Sequence, residues 1–211
     1  MTDGVKPLAK AGGFAFLAAA LALILIYPAH AEPLGRVDIG APAPGFTAMG
    51  ADGREHSLAD YAGRIVVLEW TSPVCPFTAV KYDSGAMQAL QRHAAGRGVV
   101  WLSIDTAAPG RPAYLTPAAA NARIAKTHAR VSGFLFDTDG RIGRRYGAKA
   151  TPGFFIIGAD GRLAYQGSMS GEREVARGDD SGPAKDAIDD LSSGRPVQTP
   201  ETPPYGCAIE Y

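Results

Sequence analysis

One stretch constrains the rest of the chain: IVVLEWTSPVCPFTAVKY, from Ile65 to Tyr82. Its β-branched and aromatic run has the length and content of a buried strand. The run stops at Ser72-Pro73. A single cysteine, Cys75, follows, and then Pro76 opens a segment with helical spacing. Phe77, Val80, Met87 and Leu90 carry that spacing and predict a helix from Phe77 to His93. At such a junction backbone N–H groups are unpaired and the helix dipole is positive. A thiolate there is stabilised, and its pKa falls below the free value of about 8.5. Pro76 suits the first turn, where its missing N–H costs nothing. The bland alternative is a buried, inert cysteine.

The chain has 211 residues, enough for one domain with a full core. Lys+Arg and Asp+Glu number 21 each, which gives no sign of a nucleic-acid surface or of a strongly acidic partner. The start is distinct. A polar segment with Lys6 and Lys10 leads into an uncharged apolar stretch, Ala11 to Tyr27, and Ala29-His30-Ala31 fits a small-x-small cleavage rule. This predicts a secretory signal peptide over residues 1–31. The alternative is an uncleaved anchor holding the protein at a membrane, although a span wants about 20 apolar residues. Either way the remainder faces the periplasm or another extracytoplasmic space. Two cysteines there, Cys75 and Cys207, are most simply a disulfide.

The remainder divides into a domain, 32–194, and a Pro-rich tail, 195–211, that will not fold on its own. The Pro/Gly-rich piece from Glu32 to Phe46 reads as an extended lead-in. Two short strands turn around Ala51-Asp52-Gly53. Beyond the Cys75 junction come a strand ending at Asp105 and a helix capped by Thr116 with Pro117 first. A strand, an Asp139-Gly140 turn and a short helix follow, then a hairpin around GADGR. The polar stretch from Ser168 to Gly182 loops out, and a last helix closes at Gly194. The β-α-β segment implies a parallel pair with a right-handed crossover. The hairpin adds antiparallel strands. The expected class is α/β: a central mixed sheet flanked by helices on both faces, with an N-terminal hairpin extension.

A strand, W-T-x-x-x-C-P-x-T, a helix, and later Thr151-Pro152 before a strand resemble the thioredoxin-like superfamily. Within it the chain resembles the redoxin branch that includes the alkyl hydroperoxide reductase/thiol-specific antioxidant proteins, or peroxiredoxins. GAPAPGF, GRIVVLEWTSPVCPF, TPGFFIIGADGRLAYQG and PPYGCAIEY carry the resemblance, which runs from about Gly40 onward. It implies that Cys75 is the attacking cysteine. Thr78 stands where dithiol thioredoxins have their second cysteine, so a Cys-x-x-Cys disulfide cannot form. Ser72 matches the Thr/Ser beside the peroxidatic sulfur, and Pro152 matches the cis-proline facing the active cysteine. Glu69 matches the acidic residue that shuttles protons. On its own, Glu69 in an apolar strand is either such a relay or a solvent-facing side chain. Peroxiredoxins also keep an arginine at the thiolate, for which Arg123, Arg144 and Arg145 are candidates. The chain sits between the two groups, which leaves open whether its substrate is a peroxide or a protein disulfide.

Cys207 is the partner within reach. At about 3.1 Å per residue, the stretch from Gly194 to Cys207 spans roughly 40 Å. A domain of this size has a radius of roughly 16 Å. Tethering makes the encounter intramolecular. Cys207 is therefore either a resolving cysteine or half of a permanent staple, and the two differ in how easily the bond is reduced. A reductant thiol protein is the implied partner. No cofactor is called for. His56, His93 and His128 lack metal-ligand spacing, and Asp179-Asp180 and Asp189-Asp190 read as solvated charge. Two thiols without a Met or His pair argue against copper handling.

Overall fold

The computed structural model describes residues 1, 2, 4, 35–170 and 182–211. The chain separates into Met1–Ala31 and Glu32–Tyr211. Nearly all of the expected signal segment, and most of the polar stretch expected to loop out, lie outside the described residues.

The centre of the sheet is β3 (Val66–Thr71) and β4 (Val100–Asp105), every residue of both being buried. They run parallel, with Thr71 opposite Asp105 at their C-terminal ends. Continuous apolar runs suit strands covered on both faces. On one side β4 pairs in parallel with β5 (Gly133–Phe136), then come β1 (Thr47–Gly50) and β2 (Glu55–Ser57) as the expected hairpin. On the other side β3 pairs antiparallel with β7 (Gly153–Ile157), and β7 with β8 (Leu163–Gly167). The order β2-β1-β5-β4-β3-β7-β8 is the mixed sheet that the sequence predicts. A short β6 (Ala150–Thr151) precedes β7.

The segment expected as one helix from Phe77 to His93 is two: α1 (Pro76–Asp83) and α2 (Ala86–Ala95). Gly85, at φ +81°, breaks them and starts the second. Glycine takes that left-handed conformation without a steric penalty. The break resets the helical phase. Phe77 and Val80 are therefore exposed, and Thr78 and Tyr82 turn inward on α1, while Met87 and Leu90 keep their core positions on α2.

Alternation along the strands sends Val67, Trp101, Phe154 and Ile156 against α2 and against the last helix, α5 (Pro183–Ser192). The opposite set, Leu68, Trp70, Leu102, Ile104 and Phe155, packs on Ile142 and Tyr146 of α4 (Arg141–Tyr146). Between β4 and β5 lies α3 (Pro117–Thr127), where Thr116 accepts a hydrogen bond from Ala119 N as a capping residue should. Helices thus cover both faces.

The Pro-rich tail is not loose. Pro200 and Thr202 bond to the backbone of Gln166, and the Thr202 hydroxyl meets Ser168 N at 2.9 Å and the Tyr165 hydroxyl at 2.8 Å. Arg36 pairs with Glu201. Further on, β9 (Cys207–Ala208) pairs antiparallel with β6, and Tyr211 donates to Ala148 O at 2.5 Å. The segment that cannot fold alone folds onto the domain.

Candidate active site

The thiol at the helix start is held from three directions. Cys75 is the N-cap of α1, with Pro76 in the first turn, and is buried. Its helix start faces β6, and the Thr151 carbonyl oxygen stands 3.0 Å from Cys75 Sγ. The Thr151-Pro152 bond is cis. The third contact is covalent, a disulfide from Cys75 to Cys207 with Cα atoms 5.9 Å apart. Cys207 stands opposite Thr151 in the β6–β9 pair. Thr151 therefore touches both halves of the bond. Gly206, at φ +136°, lets the tail in, because a Cβ there would collide with the Thr151 carbonyl oxygen.

A cleft of about 240 Å³ opens beside the disulfide. Cys75, Ser72, Thr151 and Cys207 line it, so four of the expected site residues converge. Glu69, Thr78 and Pro152 do not line it. Thr78 is buried on the inner face of α1. Glu69 is completely buried, which removes the solvent-facing alternative. Its carboxylate accepts from Ser103 Oγ at 2.7 Å, Trp101 Nε1 at 2.8 Å and the Tyr82 hydroxyl at 3.2 Å. Burial raises the Glu69 pKa, and the three donors work against that rise.

Sequence reasoning missed three charged groups in the cleft, Asp105, Arg111 and Glu210. Asp105 ends β4 beside Thr71 and is buried. Burial pushes its pKa up to about 7, against the nearby Arg123 charge and the Leu115 N–H. Arg111, from the loop after β4, also lines the cleft and pairs with Glu210 of the tail. The three arginines expected there lie elsewhere. Arg123 sits over the Tyr82 ring, Arg144 over the Tyr211 ring, and Arg145 donates to Gly45 O. The loop TAAPGRPAYL carries no periodic pattern, so nothing in the sequence aims Arg111 at the sulfur. Asp105 had one signal, a carboxylate at the end of an apolar strand.

Close to Cys75 in the chain, Val74, Phe77 and Val80 are exposed, and the Phe77 ring meets Tyr205 of the tail edge-on at 5.0 Å. The disulfide thus has exposed apolar side chains near it and a cleft of mixed polarity beside it.

A mixed sheet covered by helices, with an oxidised cysteine at the start of its first α-helix, defines a thioredoxin-like redoxin. Residues 39–166 match the AhpC/TSA family, more than half of the sequence, and the chain belongs to that family. Among solved structures it is similar to a hypothetical protein from Sinorhizobium meliloti 1021, at 24% identity and a TM-score of 0.72, over 84% of this chain and 96% of that one. It is similar to an uncharacterized conserved protein from Geobacillus kaustophilus at 23% identity and a TM-score of 0.70, over 82% and 92%. These two likenesses establish the fold. A Chlorobium tepidum protein described as a thiol:disulfide interchange protein DsbE is similar at 25% identity and a TM-score of 0.50, over 62% and 84%. No curated protein sequence is significantly similar to this chain.

Proposed function

We propose that this protein is an extracytoplasmic thiol–disulfide oxidoreductase in which Cys75 attacks and Cys207 resolves. The observation that carries the reading is the disulfide joining a helix-start cysteine to a tail cysteine. In the reduced protein the α1 dipole and free amides favour the Cys75 thiolate. That thiolate attacks one sulfur of a substrate disulfide and forms a mixed disulfide, expelling the other substrate sulfur as a thiolate. Cys207 then attacks Cys75 Sγ, closes the internal bond and releases the reduced substrate. A dithiol protein in the same compartment resets the pair. Reduction must also let the tail shift, since Cys75 is buried when the bond is closed. The name of the Chlorobium tepidum protein, a thiol:disulfide interchange protein, fits this reading, and the segment 1–31 supplies the export signal.

The cleft favours a second substrate. Arg111 beside Cys75 could bind a peroxide, which would convert the thiolate to a sulfenic acid that condenses with Cys207. A redox titration tests the shared core of both readings. A potential more oxidising than about −300 mV is expected; a lower one makes the bond a structural staple. Disulfide reduction and peroxide consumption, each measured on wild type and Cys75→Ser, then separate the two substrates.

A further inference from the structure

The two cysteines differ in what stands behind their sulfurs. Cys75 has the start of α1. Cys207 lies in a two-residue strand with no helix start behind it. For Cys207 to attack, its thiol must hand a proton to a neighbour. Glu69 is poorly placed to take it, being absent from the cleft and held by three donors. The carboxylates that line the cleft are Asp105 and Glu210. Glu210 is largely exposed and paired with Arg111. Asp105 is buried, with the Arg123 charge nearby.

Two threonines stand at the ends of this gap. Thr71 stands opposite Asp105 in the β3–β4 pair, and Thr151 stands opposite Cys207 in the β6–β9 pair. Both line the cleft, both are buried, and neither hydroxyl has a hydrogen-bond partner among the described residues. A buried hydroxyl without a partner is costly, and a hydroxyl can both accept and donate a proton.

We propose that Asp105 is the proton acceptor for Cys207, served by the Thr71 and Thr151 hydroxyls, when Cys207 closes the disulfide onto Cys75. This deepens the proposed function and rests on Cys75 and Cys207 cycling. In the closing step the Cys207 thiol gives its proton to the Asp105 carboxylate. The sulfur's electron pair forms the Cys75–Cys207 bond, and the bond from Cys75 to the substrate sulfur breaks. The leaving thiolate takes the proton from Asp105. Two electrons pass from the protein to the substrate sulfur, and no other oxidant enters. The charged groups around Asp105 are Arg123 on α3, Arg111 and Glu210 across the cleft, and Asp137 following β5. The Asp137 carboxylate turns away, accepting from Thr106, Ile142 N and Gly143 N. A carboxyl titrating at about 7 can exchange protons in both directions at neutral pH.

The test is the closing rate itself. The full chain is reduced with dithiothreitol, its Cys75 is charged with glutathione from glutathione disulfide, and glutathione release is followed across the neutral and alkaline range. Wild type should show an inflection near 7. In Asp105→Asn that inflection should move toward the free-thiol value of about 8.5, with the rate near pH 7 falling by up to about 30-fold. Thr71→Val removes a hydroxyl that the fold does not use and should slow closure in the same pH range. Asp105→Glu should restore the inflection in part. An Asp105→Asn profile that matches wild type overturns this inference alone. A disulfide that resists dithiothreitol in the folded protein overturns the cycling on which it rests.

Discussion

At the scale of single residues, position along an element decides the chemistry of each ionisable group. Cys75 caps a helix, so alkylation of the reduced protein should show its midpoint below the free-thiol value of about 8.5. A midpoint at or above that value leaves the attacking role without a physical basis. Asp105 shows the opposite effect. Its pKa of about 7 in the folded protein lies above the ordinary 3.8. Between these values the folded protein holds a proton that the unfolded chain has released, so stability falls as pH rises through that window. The full cost is present above about 7. Asp105→Asn should therefore raise the thermal midpoint above neutrality, by an equivalent of at most about 4 kcal/mol, and change little near pH 4. Melting curves at the two pH values check this, and no gain at the higher pH would contradict it. Removing the proton acceptor then costs rate and gains stability, a pairing expected of a buried functional carboxylate. Asp105 was visible in the sequence as a strand end. Its environment was not, because desolvation depends on what α3 and the loop before it place over it.

At the scale of elements, the tail is the part whose behaviour the proposed cycle requires to change. Its first half is tied by Thr202 and Gln166, and its second half by β9, Tyr211 and the disulfide. Reduction removes the covalent tie from the second half only. Hydrogen exchange should therefore speed up at Ile209, which bonds Lys149 O, while Thr202 N keeps its protection. Equal loosening of both halves would argue against a hinge between them. Gly206→Ala should prevent β9 from seating against Thr151 and slow disulfide closure by more than tenfold, since both its φ of +136° and the Thr151 carbonyl exclude a side chain. Closure rates of the reduced variant measure this. The break at Gly85 was equally an element-scale matter. The apolar spacing runs through it, yet one glycine ends one helix and starts another, and that turns Phe77 outward beside the disulfide.

At the scale of the whole molecule, the disulfide closes a loop between residues 132 apart. Chain entropy alone assigns such a loop about 5 kcal/mol of stabilisation, through the states it removes from the unfolded chain. Reduction should lower the thermal midpoint by about 10–20 °C. Melting with and without dithiothreitol measures the shift, and Cys207→Ser should melt at the reduced value in both conditions. A midpoint unmoved by reduction would mean that the tail is held by its hydrogen bonds without the disulfide. The residue order alone determined the strands, their mixed sheet, the thiol at a helix start and a second thiol with length enough to reach it, because hydrophobic period, turn chemistry and chain reach are local properties. Tertiary structure decided that the tail docks as a strand, that Glu69 turns inward to three donors, and that Asp105 and Arg111 share the cleft with the disulfide while Arg123, Arg144 and Arg145 do not. Those facts depend on which distant segments meet, and on how much water their meeting excludes, and neither is encoded at any one stretch of the chain.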